Sequence, residues 1–171
     1  MHKGLSVPAL ARRVLDAARA NGLTIATAES CTGGLVGAAL TAIAGSSDVF
    51  ERGFITYSNA AKTAMIGVPA SLIEVRGAVS AEVAAAMAEG ALNASGAGLA
   101  VAITGVAGPG GGTAQKPVGL VHLAAVARDG SVNRIERCYD PGLGRAGIRR
   151  AAVIDALTML LDLARTRRVV A

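Results

Sequence analysis

Apolar residues recur at helical spacing over residues 7–19, at Val7, Leu10, Ala11, Val14, Leu15 and Ala18, and Asn21-Gly22 stops the run. A short β-branched stretch over 23–28 predicts a strand. The turn Glu29-Ser30-Cys31-Thr32-Gly33-Gly34 then leads into a small-residue helix over 35–44, closed by Gly45. A second strand is predicted over 49–57. Ser58 is an N-cap candidate for a helix reaching Ile66, and Pro69 opens a short helix over 70–74. Ser80 caps a strong helical run over 81–94, with Glu82 in its first turn. A third strand is predicted over 99–104 and a glycine-rich loop over 105–117. Strands over 118–127 and 132–139 follow, joined through Asp129-Gly130 as a hairpin, and a long helix over 146–164 closes the pattern. Helices alternate with strands before the hairpin appears. That order predicts an α/β fold: a single three-layer α/β/α domain over residues 1–171, with a mixed, mostly parallel sheet.

The chain has 171 residues, 52% of them hydrophobic and 17% charged, which is enough apolar surface to offset the entropy of ordering one domain. With no Trp, two Phe and two Tyr, the core must be filled by Ala, Val, Leu and Ile. No apolar run reaches the ~18 residues of a membrane span, and residues 1–20 lack the continuous apolar stretch of a secretory signal. Two cysteines, Cys31 and Cys138, do not make a disulfide framework, and a reducing cytoplasm is the expected setting. The net charge of +5 includes Arg165, Arg167 and Arg168, which read as a solvated helix end. No aromatic residues interleave with the basic ones, so nucleic-acid binding is not expected.

Three segments follow strands, where open α/β sheets place their ligand crevice. The first is 29–34. A helix start offers free N–H groups and partial positive charge, and Gly33 and Gly34 would leave those groups uncovered for a phosphate or an oxyanion, with Ser30 at the mouth. The plainer reading is a cap with glycines for tight packing. In the second segment, 57–62, Ser58 as N-cap puts Tyr57 and Lys62 in the side-by-side positions of a hydrophobic staple, so a phenol hydroxyl and an amine are expected to meet. Lys62 also lies in a first turn, where the helix dipole and partial burial lower an amine's pKa toward that of a general base. An arbitrary Lys would instead be exposed on a helix surface. In the third segment, 104–113, glycines permit close approach of backbone to a ligand or simply make a flexible connection; neither a P-loop nor a dinucleotide fingerprint is present. His2 and His122 are the only histidines, at the terminus and mid-strand, which disfavours a Ser-His-Asp triad. No cluster has zinc spacing, so no metal or cofactor is expected. Cys31, at a helix start, is the rival nucleophile to Ser30, or else a small buried packing residue.

Taken in order, Glu29-Ser-Cys-Thr-Gly-Gly34, Gly53-Phe-Ile-Thr-Tyr-Ser-Asn-Ala-Ala-Lys62, Gly77-Ala-Val-Ser80, Thr104-Gly-Val-Ala-Gly-Pro-Gly-Gly-Gly-Thr113 and Lys116-Pro-Val-Gly119 closely resemble the CinA C-terminal domain family over residues 7–164. The chain looks like the stand-alone form, without the additional N-terminal domain of full-length CinA. The resemblance implies a nicotinamide mononucleotide deamidase that yields nicotinic acid mononucleotide and ammonia in pyridine nucleotide salvage. It puts the family's catalytic Ser, Tyr and Lys on Ser30, Tyr57 and Lys62. Family members usually carry Gly-Asp-Arg before the last helix; here Leu143-Gly144-Arg145 stands instead, with Gln115 in place of the usual Glu.

The expected mechanism has Lys62, hydrogen-bonded through Tyr57, take the Ser30 proton as the hydroxyl attacks the carboxamide. Backbone N–H groups of Thr32, Gly33 and Gly34 beside Cys31 would hold the oxyanion. Arg145, with Arg149 one turn on, would meet the substrate phosphate, and Thr104, Gly105, Gly112 and Thr113 would line the nucleotide. The expected partners are a small pyridine nucleotide and further copies of the chain. The alternative is a non-catalytic nucleotide-binding or protein-interaction module associated with competence or DNA damage.

Overall fold

A computed structural model describes residues 5–166. The expected Arg167 and Arg168 of the basic cluster, and His2, lie outside the described residues. Helix α1 spans Val7–Ala20; the Ser6 hydroxyl accepts from the Ala9 N–H, and Leu10, Ala11, Val14, Leu15 and Ala18 form its buried face, the one the periodicity marks. Strand β1 (Ile25–Glu29) runs into helix α2 (Leu35–Thr41), and strand β2 (Phe50–Ile55) into helix α3 (Asn59–Ile66). Helices α4 (Ala70–Arg76) and α5 (Ala81–Ser95) precede strand β3 (Leu99–Gly105). Strands β4 (Leu120–Ala127) and β5 (Val132–Cys138) form the hairpin, and helix α6 (Gly144–Thr166) follows.

The five strands form one sheet in the order β2-β1-β3-β4-β5. β1 pairs in parallel with both β2 and β3, and the hairpin adds β4 and β5 antiparallel. Four strands therefore point one way and β4 is reversed, giving the mixed α/β sheet that the element order predicts. Central strands β1, β3 and β4 are buried along almost their whole length, as strands covered on both faces must be. On one face α1, α2 and α6 pack against Ile25, Leu99, Val101, Ile103, Val121, Leu123 and Ala125. On the other, α3, α4 and α5 pack against Ala26, Ala28, Ala100, Ala102, Ala124 and Val126. Alanine on that second face lets α5 approach the sheet closely. Strand and helix ends differ from the sequence reading by one to three residues, as fraying ends do. Cys31 and Cys138 are both free thiols.

Candidate active site

The site begins where β1 ends. Its last residue, Glu29, is 1% exposed, and its carboxylate accepts from the N–H groups of Gly34 (3.0 Å), Val36 (3.1 Å) and Gly37 (2.9 Å). A helix start has donors without intrahelical partners, and here a buried carboxylate from the preceding strand takes three of them. Gly34 adopts φ +97° at the N-cap, a conformation open to glycine, and so folds the chain back over Glu29. Sequence reasoning missed this role. The signal for it is a lone acidic residue at a strand end five positions before a Gly-Gly helix start.

This geometry corrects the expected oxyanion site. The Gly34 N–H is spent on Glu29, and the Gly33 N–H donates to the Ser30 carbonyl at 3.0 Å. Among the described residues, the N–H groups of the turn that no protein acceptor takes are those of Cys31 and Thr32. The N–H groups left open to an anion are therefore the two directly after Ser30. The Thr32 hydroxyl is buried and also lacks a partner.

Lys62 enters from α3. The Ser58 hydroxyl caps that helix by accepting from the Ala61 N–H at 3.0 Å, which puts Lys62 at its fourth position, as the spacing predicts. The Lys62 side chain is 1% exposed and its amine donates to Ser30 Oγ at 3.2 Å, to the Thr56 carbonyl at 3.0 Å and to the Tyr57 carbonyl at 3.4 Å. The structure thus brings Ser30 and Lys62 together across two crossovers. No carboxylate is among these partners. Burial accordingly holds the amine below its ordinary value, and the one opposing influence, the charge of Cys31, acts only where that thiol is ionised.

The expected contact between the Tyr57 hydroxyl and Lys62 is not formed. The amine meets the backbone carbonyl of Tyr57, while the phenol points outward, 60% exposed, and its oxygen accepts from Arg145 Nη2 at 3.1 Å. The phenol turns instead toward the start of α6, where Arg145 supplies its hydrogen bond. Ile55 and Tyr57, at and just after the end of β2, are both exposed.

Cys31 is buried, and burial pushes its thiol up to about 11; the nearby Arg149 and Arg145 charges pull the other way without reversing it. A thiol in that range is protonated near neutral pH, which removes the acidified nucleophile expected of a helix start.

Arg145 and Arg149, in the first turns of α6, both donate to backbone carbonyls. Arg149 donates from Nε to the Cys31 carbonyl (3.1 Å) and from Nη2 to the Thr32 carbonyl (2.8 Å), clamping the Ser30 turn from outside. Arg145 donates from Nη1 to the Gly108 carbonyl (2.8 Å) and from Nη2 to Tyr57, so it ties the glycine-rich loop to the end of β2. It is oriented without the acidic neighbour of a Gly-Asp-Arg motif. Thr104 donates its hydroxyl to the Ala78 carbonyl at 2.8 Å, and a Cβ at Gly105 would meet the Leu120 carbonyl at 2.8 Å, so both are engaged in packing. Gly112 lies against the Val118 backbone, and Thr113 closes a turn with Lys116 by two hydrogen bonds. Among the described residues no group of three or more His, Cys, Asp or Glu is placed to hold a metal, and no helix is long and apolar enough to cross a membrane.

A family model described as the CinA C-terminal domain matches residues 8–164. The chain belongs to this family. A CinA-like protein from Synechococcus sp. (strain RCC307) is 54% identical over 157 residues, covering 92% of this chain and 37% of the relative. A CinA-like protein from Citrifermentans bemidjiense is 53% identical over 150 residues, or 88% and 36%. The chain thus spans about a third of the length of these CinA-like relatives. Among solved structures, the competence/damage inducible protein CihA from Agrobacterium tumefaciens superposes with a TM-score of 0.90 at 54% identity, over 92% of this chain and 94% of that one. A CinA superfamily protein from Klebsiella pneumoniae gives 0.89 at 33% identity, over 95% and 100%. The mixed five-stranded sheet is therefore the CinA fold, and the Ser30–Lys62 pair stands at the carboxyl end of its β1.

Proposed function

We propose that this CinA-family chain is an amidohydrolase that converts the carboxamide of nicotinamide mononucleotide to a carboxylate with release of ammonia. The observation that carries the reading is the buried contact of 3.2 Å between the Lys62 amine and the Ser30 hydroxyl. A lysine with no carboxylate among its hydrogen-bond partners, held below its ordinary pKa by burial, has the features of a general base for an alcohol nucleophile. The choice of substrate rests on the motifs that this chain shares with the family, and on an exposed Tyr57 ring able to stack a planar heterocycle.

In this mechanism neutral Lys62 accepts the Ser30 proton as Oγ attacks the carboxamide carbon. The developing oxyanion is held by the Cys31 and Thr32 N–H groups. The Lys62 ammonium returns the proton to the departing nitrogen, ammonia leaves, and a water deprotonated by Lys62 cleaves the Ser30 ester to release the acid. Arg149 fixes the turn that carries the two N–H groups; Arg145 and Tyr57, hydrogen-bonded to each other, are assigned to the nucleotide's phosphate and ring in this reading. The test is ammonia release from a panel of nicotinamide derivatives without added metal. The expected result is release from the mononucleotide that Ser30→Ala abolishes. Thermal stabilisation by the nucleotide without ammonia release would overturn the reading in favour of a binding module, and full activity of Ser30→Ala would overturn the assignment of the nucleophile.

A further inference from the structure

Beyond the Gly77–Ser80 segment, on the α5 side of the sheet, lies an open cleft of about 460 Å³ lined by residues that the Ser30 chemistry does not use. It is bounded by the start of α5, by Lys116 at the end of the glycine-rich loop, and by His122 and Glu136 on the hairpin. Thr104 anchors the Gly77–Ser80 segment through the Ala78 carbonyl. By strand order, His122 lies two strands from β1, roughly 10 Å at the spacing of a sheet.

Three features of the cleft keep hydrogen-bonding capacity that the protein does not use. The Ser80 hydroxyl caps α5 by accepting from the Val83 N–H, but the N–H groups of Ala81 and Glu82 meet no acceptor among the described residues. Lys116 spends one proton on the Arg76 carbonyl, at 2.7 Å, which leaves its ammonium fixed with two more to give. His122 is 7% exposed, and its Nδ1 is buried with no hydrogen bond; Glu136 Oε2, at 3.7 Å, is beyond that range. Burial is the largest influence on this imidazole and keeps its pKa below the ordinary value; Lys116 adds to that effect, while Glu136 and Glu82 oppose it. A neutral ring nine-tenths buried with an unsatisfied nitrogen is costly unless a ligand supplies the partner.

Two carboxylates also face the cleft, and neither cancels these donors. Glu82 is paired with Arg76 at 3.3 Å, and the Glu136 side chain, 68% exposed, comes within 3.7 Å of His122 Nδ1 without a hydrogen bond to it. What remains is the positive end of a 15-residue helix, one ammonium and one imidazole.

We propose that this cleft is a second binding site, separate from the Ser30 centre, for the anionic group of a small metabolite, a phosphate or a carboxylate. The anion sits on the Ala81 and Glu82 N–H groups, with Lys116 and His122 as side-chain donors. The proposal does not depend on amide hydrolysis, because its test reads binding alone.

The experiment is an NMR titration of the intact chain, following the Ala81 and Glu82 amides and the His122 ring, with sodium phosphate, sodium acetate and sodium chloride in separate arms at matched ionic strength. Saturable shifts with phosphate or acetate, and not with chloride, are expected; whichever of the two saturates identifies the class. Ala81→Pro removes one donor at the first position of α5, where proline is tolerated, and the preceding Ser80 is already extended (φ −159°, ψ 158°). Ala81→Pro and Lys116→Met are each expected to weaken binding by about tenfold, the loss of one charge-assisted hydrogen bond. Should Ala81→Pro fail to fold, as read by circular dichroism, Lys116→Met and His122→Phe carry the test. Shifts that chloride reproduces, or an affinity unchanged in every folded variant, would overturn the proposal.

Discussion

At the residue scale the decisive fact is a lysine amine 1% exposed whose bonded neighbours are one hydroxyl and two carbonyls. Such an amine gives up its proton more readily than a solvated one, so the ammonia-release rate should rise with pH as Lys62 deprotonates and level off above its lowered pKa. Lys62→Met should remove that limb and cost about 10²–10⁴ in turnover. The same shift links to stability. Between the lowered value and the ordinary 10.5, the unfolded chain holds a proton that the folded chain has lost, so this group's contribution to stability increases as pH climbs through that window. Urea denaturation at stepped pH should show that slope in the parent chain and its absence in Lys62→Met. Cys31, with its thiol near 11, predicts the opposite of a nucleophile: Cys31→Ala should keep activity within a few-fold in the same ammonia assay. The pairing of Ser30 with Lys62 was foreseeable from their positions after successive strands. The partner of the Tyr57 hydroxyl was not, because it comes from Arg145, 88 residues away in sequence.

At the element scale the start of α2 depends on a strand residue. Glu29 gathers three N–H groups that would otherwise be buried without acceptors. Glu29→Gln keeps the volume, removes the charge and turns an NH₂ toward donors. The expected loss is about 1.5–3 kcal/mol of unfolding free energy, the scale of hydrogen bonds to a charged group, measured by urea denaturation. The contact between α3 and α5 is equally specific. A Cβ at Gly90 would overlap the Ile66 carbonyl oxygen at the C-terminal end of α3. Gly90→Ala should therefore lower stability by about 1–3 kcal/mol through overpacking, despite alanine's better helix propensity. Element types and caps were legible locally, since Ser58 and Ser80 each cap the helix their positions predict. The Glu29 cap was not, because its donors lie five to eight residues ahead and meet it only once the turn has closed.

At the scale of the whole molecule, α6 holds the candidate site together. From one face of this helix Arg149 grips the Ser30 turn and Arg145 spans the glycine-rich loop and Tyr57. Arg145→Ala should leave the fold intact and raise KM for the nucleotide by about tenfold, the scale of a lost hydrogen bond to a charged group. Steady-state kinetics check this, and faster amide exchange confined to the loop around Gly108 would accompany it. The amino-acid sequence by itself determined the elements, their alternation, the mixed sheet and the identity of two facing chemical groups, because hydrophobic period, capping residues and turn glycines act over a few neighbouring positions. Only the tertiary structure decided which N–H groups remain free, where the Tyr57 hydroxyl goes, and that both arginines hold backbone carbonyls. Hydrogen-bond partners are allotted by proximity in space, and in a crossover fold those neighbours come from segments far apart along the chain.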